Sequence, residues 1–204
     1  MLTVKKLRAT YGYASNTFLI SSGGECAVID PSAEYDPSLI DGRLKYVLLT
    51  HCHFDHVLEL DAWASGGAAV VISRDDADAL ADSELNCYKL FLGLNKGYKG
   101  ATSKTSDGDI LKLGDEQIKV IACPGHTAGS VVYAVSGQAF VGDTVFAGGG
   151  YGRFDLPSGD YRKLGESIER LISSLPDDTV MHPGHGASTT VYEFKEDYKY
   201  RRIK

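Results

Sequence analysis

The chain has 204 residues, enough to bury a hydrophobic core without disulfides, and its 43% hydrophobic and 24% charged residues are typical of a globular protein. A net charge of −6, with no basic cluster before the C-terminal tail, argues against binding to nucleic acid. The four cysteines form no CxxC pair, no apolar run approaches the ~18 residues of a membrane span, and no signal-peptide pattern follows Met1, so we expect a cytoplasmic protein with reduced thiols and no membrane partner.

The first half of the chain alternates short apolar or β-branched runs with turns. These runs predict strands at residues 2–8, 17–21, 26–29, 46–50 and 68–72. Helices are predicted at residues 37–41, at 55–64 before Gly66 and Gly67, and at 74–81 with Ser73 as the N-cap. Residues 86–106 show no clear period, and we predict a helix plus a loop there.

In the second half, strands are predicted at residues 109–113, 117–122, 130–135, 139–141 and 179–181. A helix is predicted over residues 161–175 because apolar residues recur there at helical spacing, and a closing helix over about 190–197. Each half therefore combines strands with helices. This order predicts an α/β protein in a single domain over residues 1–204 and suggests a layered αββα sandwich, but periodicity alone does not choose that sandwich over other α/β arrangements.

One segment concentrates side chains that bind metals. Residues 50–56 read Thr-His-Cys-His-Phe-Asp-His, which places His51, His53, Asp55 and His56 directly after an apolar run. Imidazole and carboxylate ligands of a zinc-type ion lie at ~2.0–2.2 Å and converge from several directions. A loop at a strand end can bring them together, whereas a regular strand sends neighbouring side chains to opposite faces. The segment therefore predicts a metal site.

Three further motifs share one context, a strand end followed by a tight turn and a polar side chain. His126 lies in Cys-Pro-Gly-His-Thr-Ala-Gly-Ser, Asp143 in Val-Gly-Asp-Thr-Val-Phe, and His185 in Pro-Gly-His-Gly. Five of the six histidines of the chain fall in these motifs or in residues 50–56. We expect these side chains to gather at one edge of the sheets.

The motifs THxHxDH, PGHTxGS, GDTxF and PGHG resemble those of the metallo-β-lactamase superfamily and, within it, of the glyoxalase II-like hydrolases. The resemblance runs from about Val4 to Thr190 and implies the four-layer αββα sandwich of that superfamily. It also implies two divalent metal ions per chain, with zinc expected first and iron or manganese as alternatives.

The resemblance also implies how the ligands are shared. In that family, one ion is bound at the positions matching His51, His53 and His126. The second ion is bound at the positions matching Asp55, His56 and His185. The position matching Asp143 bridges the two ions.

The activity that the resemblance implies is hydrolysis of a small-molecule thioester such as S-D-lactoylglutathione by water that the two ions activate. Asp55 is the expected catalytic residue, since it can bind an ion and orient this water. Residues 149–159 resemble the family's GRTDLPGG loop, with Phe154 where Thr is usual. Tyr151 and Arg153 of this loop are candidate substrate-binding residues, although Arg153 could instead pair with Asp155.

Some features limit what the sequence predicts. The chain ends at Lys204, without the C-terminal helical domain of two-domain glyoxalase II enzymes, so we expect it to bind glutathione weakly. Cys52, Cys123 and His182 lie near the motifs, and we expect them to be structural rather than metal ligands. The oligomeric state stays open.

Other functions remain possible for this set of motifs. The strongest rival is an iron-dependent persulfide dioxygenase of the same fold, which uses three ligands matching His51, His126 and Asp143. That branch typically has PAHDY-like and GDALL-like motifs where this chain has PGHG and GDTVF, which favours the hydrolase. A phosphodiesterase or nuclease, a lactonase, a β-lactamase and a metal-binding protein without catalysis are further alternatives.

Overall fold

Two six-stranded mixed β-sheets lie face to face within residues 1–100 and 102–201, which the computed structural model describes. The first sheet has the order β1-β2-β3-β4-β5-β6. Its strands are antiparallel from β1 to β3 and parallel from β3 to β6. The strands are β1 (Thr3–Leu7), β2 (Thr17–Ser22), β3 (Glu25–Ile29), β4 (Arg43–Leu48), β5 (Ala69–Ser73) and β6 (Ser103–Thr105).

The second sheet has the order β14-β13-β10-β9-β8-β7, in which only β10 and β13 pair in parallel. A short antiparallel ribbon of β11 and β12 follows β10. The strands are β7 (Ile110–Leu113), β8 (Glu116–Ala122), β9 (Val131–Val135), β10 (Gln138–Gly142), β11 (Val145–Phe146), β12 (Gly150–Tyr151), β13 (Val180–Pro183) and β14 (Thr189–Thr190).

Side-chain alternation along the strands creates three apolar layers. In β2, Phe18 and Ile20 face the second sheet, whereas Leu19 faces the outer layer of the first sheet. In β8, Val120 faces the first sheet and Ile121 the outer layer of the second. Because successive residues of a strand point to opposite faces, each sheet has a buried inner face and a buried outer face. This confirms the predicted αββα layering.

Four α-helices among the described residues cover the outer faces: α1 (Leu60–Ala64), α2 (Tyr88–Leu92), α3 (Tyr161–Ser174) and α4 (Val191–Tyr198). Asp160 caps α3 by accepting a hydrogen bond from Lys163 N, and Thr190 and Glu193 form a capping box at the start of α4. The predicted helices at 161–175 and at about 190–197 are therefore confirmed. Among the described residues, no helix combines the length and apolar character needed to cross a membrane.

The predicted helix at residues 74–81 is wrong. Residues 74–78 form turns, and only Ala79–Ala81 form a short 3-10 helix. Ser73 is the last residue of β5 rather than a helix cap. The buried carboxylate of Asp76 turns inward and accepts hydrogen bonds from Cys52 N and Gly129 N. These tertiary contacts favour a turn over the helix that the local pattern suggests.

The predicted helix at residues 55–64 is shorter than expected. A 3-10 turn covers Phe54–His56, and α1 begins only at Leu60. Asp55 O accepts from Ser15 N at 2.9 Å, so this carbonyl is not free for a helical hydrogen bond. The predicted helix at 37–41 is likewise a 3-10 helix at Pro37–Leu39.

Four short strands, β6, β11, β12 and β14, were not predicted, because each has only two or three residues and too few positions for a period. β6 lies within residues 86–106, where a helix plus a loop was predicted and where α2 is the helix. Residue 101 of this stretch and residues 202–204 of the predicted domain lie outside the described residues.

Candidate metal centre

The polar side chains predicted to gather do so at one edge of the two sheets. His51 follows β4, His126 follows β8, Asp143 follows β10 and His185 follows β13. Because these strands all run toward the same edge, the loops that leave their carboxyl ends meet there. Val131 N at the start of β9 donates to Thr50 O at 2.8 Å and joins the two sheets beside this edge.

The first donor group consists of His51, His53 and His126, all of which are buried. His126 Nε2 lies 2.9 Å from His53 Nδ1 and 3.2 Å from His51 Nε2. The three rings meet nearly edge to face, with interplanar angles of 83–89°. One ring nitrogen of each histidine therefore points at a common centre.

The second donor group consists of Asp55, His56 and His185. His185 Nε2 lies 3.0 Å from Asp55 Oδ2, and His56 Nε2 lies 3.9 Å from the same oxygen. The His185 side chain is 40% exposed, whereas that of Asp55 is 17% exposed and that of His56 is fully buried. The centre therefore opens to solvent on the His185 side.

Asp143 lies between the two groups. Its Oδ2 is 3.7 Å from His126 Nε2 in the first group and 3.7 Å from His185 Nε2 in the second. Its Oδ1 is 3.3 Å from His56 Nε2. This carboxylate is thus positioned toward both groups, as a bridging ligand must be, and with His51 and His56 it forms a third set of closely spaced ligand atoms.

Hydrogen bonds to the opposite ring nitrogens fix the orientation of two histidines. His56 Nδ1 donates to Asp30 Oδ2 at 2.8 Å, and His126 Nδ1 donates to Arg153 O at 2.7 Å. Asp30 also accepts from the Thr50 amide and hydroxyl at 2.8 and 2.7 Å. With Nδ1 occupied, Nε2 of each ring is directed at the centre, the arrangement that metal-binding histidines use.

Asp76 holds the two loops of the first donor group together. Its Oδ2 accepts from Cys52 N at 3.0 Å and from the Thr127 hydroxyl at 2.8 Å, and its Oδ1 accepts from Gly129 N at 2.7 Å. Cys52 lies between His51 and His53, and Thr127 follows His126 directly. The sequence analysis identified neither Asp30 nor Asp76, because single aspartates at strand ends carry no motif.

Burial keeps two histidines of the first group, His51 and His53, neutral. It lowers the pKa of His53 to about 3. Burial, together with the neighbouring histidines, also holds the pKa of His51 well below its usual value. Both rings are therefore uncharged at neutral pH, and their nitrogen lone pairs are available to a cation.

In the second group, nearby carboxylates favour a positively charged imidazole at His56. Burial disfavours a charge on His56, but Asp30, Asp143 and Asp55 outweigh it and raise the pKa of His56 well above its usual value. Burial would raise the pKa of Asp143, yet His56 and the other histidines lower it well below the usual range. The three carboxylates thus favour positive charge at this position, which a divalent cation would supply.

The spacing of the donors fits metal ions. Bonds of about 2.1 Å in a tetrahedron place neighbouring ligands about 3.4 Å apart, close to the 2.9 and 3.2 Å of the first group. His56 Nε2 and Asp143 Oδ1 are buried and lie 3.3 Å apart as an ion pair, but neither makes a well-directed hydrogen bond within the described part of the chain. Buried polar atoms without hydrogen bonds are destabilising, and a bound cation would remove that penalty. The His and Asp cluster can therefore hold metal ions.

Other residues singled out from the sequence lie outside the two donor groups. The Tyr151 ring packs against Tyr198 of α4, and its proposed substrate contact stays a prediction. The Arg153 guanidinium makes two 2.8 Å hydrogen bonds to Asp155. His182 bonds Ser188 and Gln138 through its two ring nitrogens, both at 2.8 Å.

The four cysteines are free and buried. Burial, with Asp76 nearby, raises the pKa of the Cys52 thiol well above its usual value. Cys52 is not part of any set of closely spaced ligand atoms among the described residues. Burial also raises the pKa of Cys123 to about 12.

Comparisons with curated proteins point to metal-dependent hydrolases. The chain is 32% identical over 187 residues to the probable metallo-hydrolase YqgX of Bacillus subtilis, covering 87% of both chains. It is 32% identical over 196 residues to the hydroxyacylglutathione hydrolase GloC of Haemophilus influenzae, covering 87% of this chain and 88% of that protein.

Solved structures share the fold. The B3 metallo-beta-lactamase BLEG-1 matches with a TM-score of 0.87 and 26% identity, covering 97% of this chain and 99% of that one. TTHA1623 in a di-iron-bound form matches with a TM-score of 0.80 and 27% identity, covering 95% of this chain and 98% of that one. ETHE1 from Myxococcus xanthus matches with a TM-score of 0.78 and 26% identity, covering 96% of this chain and 83% of that one. The family model of the metallo-beta-lactamase superfamily matches residues 10–185, and the chain therefore belongs to this superfamily.

Proposed function

We propose that this protein hydrolyses a small-molecule thioester of the hydroxyacylglutathione kind, using two divalent metal ions. The observation that carries the proposal is the arrangement of seven donor side chains in two groups with Asp143 between them. Two groups of this kind accommodate two ions a few ångströms apart. When bound, such ions supply Lewis acidity and lower the pKa of the water that they hold.

Asp55 is the residue best placed to handle the attacking water. His56 and His185 outweigh the effect of burial and lower the pKa of Asp55, so its carboxylate is ionised at neutral pH. Oδ2 of Asp55 pairs with His185 Nε2 at 3.0 Å, which leaves Oδ1 to accept a hydrogen bond from water and to take up its proton. Asp55 is also partly exposed on the side where the centre opens, so substrate can reach it.

The identity of the ions is part of the proposal. Imidazole and carboxylate donors suit zinc, iron and manganese alike. We propose zinc as the first metal to test because the tetrahedral spacing of the first group matches its preference. The similarity to a di-iron structure makes iron the principal alternative.

Relatives support the thioester more than other substrates. GloC, named as a hydroxyacylglutathione hydrolase, matches this chain over almost its whole length. The hydroxyacylglutathione hydrolase of Hamiltonella defensa is 32% identical, but this chain covers only 60% of it. We therefore propose that the described fold performs the hydrolysis.

A persulfide dioxygenase is the rival that the sequence motifs leave open. The three ligands expected for it, His51, His126 and Asp143, are all present at the centre. The second group with Asp55, His56 and His185 would then have no ligand role. Since this group is as well assembled as the first, the hydrolase accounts for more of the site.

A paired assay on one metal-loaded preparation tests the proposal. We expect thiol release from S-D-lactoylglutathione without oxygen uptake, and no oxygen uptake with glutathione persulfide. Oxygen uptake with the persulfide and no thioester cleavage would establish the dioxygenase instead. A chromogenic β-lactam belongs in the same panel because BLEG-1 has the same fold.

A further inference from the structure

The loop between β12 and α3 packs against the turn that carries His126. We call residues 152–160 the brace loop. Three hydrogen bonds join it to the turn: His126 Nδ1 donates to Arg153 O at 2.7 Å, Ala128 N to Ser158 Oγ at 3.1 Å, and Asp160 N to Gly125 O at 2.8 Å. Because two of these bonds are made by the residues on either side of His126, the brace loop holds the backbone of the turn as well as the ring.

The brace loop begins in direct contact with the metal centre. Gly152 is buried, and a Cβ atom on it would lie 2.0 Å from Asp143 O and 2.9 Å from His126 Nδ1. Any side chain at this position would push the loop away from both donor residues. The absence of a side chain therefore lets the next residue, Arg153, bring its carbonyl within hydrogen-bond distance of the imidazole.

The far end of the brace loop has an unusual backbone conformation. Ser158 has a φ of +66°, in the left-handed region that residues other than glycine rarely adopt. Its hydroxyl accepts the hydrogen bond from Ala128 N. Such a conformation persists only where the surrounding contacts impose it, and it is common at functional sites. Both ends of the brace loop are thus held against the His126 turn.

An ion pair within the brace loop restricts the residue that bonds His126. The Arg153 guanidinium donates to both carboxylate oxygens of Asp155 at 2.8 Å. These hydrogen bonds lower the pKa of Asp155 to about 2, so the pair is charged at neutral pH. The two side chains are 53% and 60% exposed, and the pair adds little to overall stability. Its bidentate geometry instead fixes the local conformation of the loop.

The direction of the His126 ring matters for the first donor group and for the bridging carboxylate. Its Nε2 lies 2.9 Å from His53 Nδ1, 3.2 Å from His51 Nε2 and 3.7 Å from Asp143 Oδ2. A carbonyl that accepts from Nδ1 keeps the proton on that nitrogen and leaves the Nε2 lone pair directed at the centre. A shift of the carbonyl would therefore turn the ring away from its partners.

We propose that Arg153 is a positioning residue, whose ion pair with Asp155 aligns Arg153 O with His126 Nδ1 and so strengthens metal binding by the first donor group. The proposal rests on the metal centre of the proposed function, but not on the thioester substrate. It gives the Arg153 side chain a role that acts through its own backbone carbonyl. In the alternative role, substrate binding, the guanidinium would have to leave Asp155.

Zinc affinity tests the proposal without any substrate. Competition with a chromogenic chelator is measured for the wild-type protein, Arg153→Ala, Asp155→Ala and the double variant. We expect each single variant to bind zinc about tenfold more weakly, at the lower end of the effect of residues that orient metal-binding histidines. The double variant should lose no more than either single variant, because both substitutions remove the same interaction.

A spectroscopic measurement locates the effect at His126. In NMR spectra of the zinc-loaded protein with ¹⁵N-labelled histidine, the Nδ1 proton of His126 should exchange with solvent faster in both single variants than in the wild-type protein. The Tm of the metal-free variants should stay within about 3 °C of the wild-type value, since an exposed ion pair contributes little to unfolding.

Arg162→Ala is the matched control, because Arg162 forms an exposed 2.8 Å ion pair with Glu166 on α3, outside the brace loop. It should keep the wild-type zinc affinity and the wild-type exchange rate at His126. Wild-type values of both quantities in Arg153→Ala, or additive losses of zinc affinity in the double variant, would overturn the proposal. A raised KM for the thioester in Arg153→Ala with unchanged zinc affinity would assign this side chain to substrate binding instead.

Discussion

At the scale of single residues, Asp76 supports the first donor group without being a donor itself. Its side chain is buried, and its two oxygens accept three hydrogen bonds from the loops that carry His51, His53 and His126. Burial raises the pKa of Asp76, and these hydrogen bonds oppose the rise. The carboxylate therefore holds the first donor group in place before any metal binds.

Asp76→Asn should weaken this arrangement, because an amide brings its own N–H groups against the backbone N–H groups of Cys52 and Gly129. We expect the free energy of unfolding of the metal-free protein to fall by about 3 kcal/mol. The affinity for the first metal equivalent should fall by about 10–100-fold. Urea unfolding and competition with a chromogenic chelator measure the two effects.

Asp75→Asn is the control for this prediction, since Asp75 is exposed and its side chain accepts no hydrogen bond within the described residues. It should change neither quantity. If Asp76→Asn and Asp75→Asn bind metal equally well, Asp76 has no positioning role.

At the scale of elements, the loops that leave β10 and β13 approach each other too closely for a side chain. Gly184 N donates to Gly142 O at 2.8 Å. A Cβ atom on Gly184 would lie 2.2 Å from Asp143 Oδ1 and 2.4 Å from His56 Cε1. The glycine after β13 is therefore required by the position of two donor side chains.

Gly184→Ala should displace Asp143 or His56 and so reduce metal binding. We expect an overpacking cost of about 1–3 kcal/mol in unfolding free energy and a metal content well below that of the wild-type protein. Gly66→Ala is the control, because the nearest atom to its added Cβ is the Tyr35 hydroxyl at 3.9 Å. Metal analysis and thermal unfolding decide the point, and wild-type metal content in Gly184→Ala would contradict it.

At the scale of the whole molecule, the candidate metal centre joins the two sheets. The loops of the second sheet supply His126, Asp143 and His185. The loop after β4 in the first sheet supplies the other four donor side chains, which are His51, His53, Asp55 and His56. In the first donor group, the hydrogen bonds of Asp76 also link the loop of the first sheet to the loop of the second. Ions bound here would connect the halves more strongly than the 2.8 Å bond from Val131 N to Thr50 O does.

Removing the metals should therefore destabilise the entire fold. We expect close to two metal equivalents per chain, and a fall in Tm of roughly 10 °C when a chelator removes them, since ligand at 1,000 Kd contributes about 4 kcal/mol. Scanning calorimetry before and after chelation, with metal analysis, measures this. The chelator should lower the Tm of Asp143→Ala only slightly. In Cys52→Ala it should lower the Tm as much as in the wild-type protein.

A metal content that stays near one equivalent in excess metal would contradict the two-ion centre and favour the dioxygenase. A chelated protein with unchanged Tm would show instead that the two halves hold together without the ions.

The sequence by itself determined the positions of most strands and the helices α3 and α4, and the resemblance of its motifs to the metallo-β-lactamase superfamily selected the αββα fold. Local patterns suffice for these elements, because β8 and β10 are apolar runs and α3 repeats its apolar residues every three or four positions. The motifs also indicated seven side chains that do lie together, since strand ends that share one sheet edge bring their loops together.

Only the tertiary structure decided which residues support those seven. Asp30 and Asp76 are ordinary aspartates in the sequence, and each becomes important through contacts with loops more than 19 positions away, as the bonds to Thr50 and Cys52 show. The same long-range contacts of Asp76 replaced the predicted helix at residues 74–81 by turns. The ring contacts of Phe54 with Tyr13 and Phe91 likewise join three separate segments, because burial and proximity depend on how the whole chain packs.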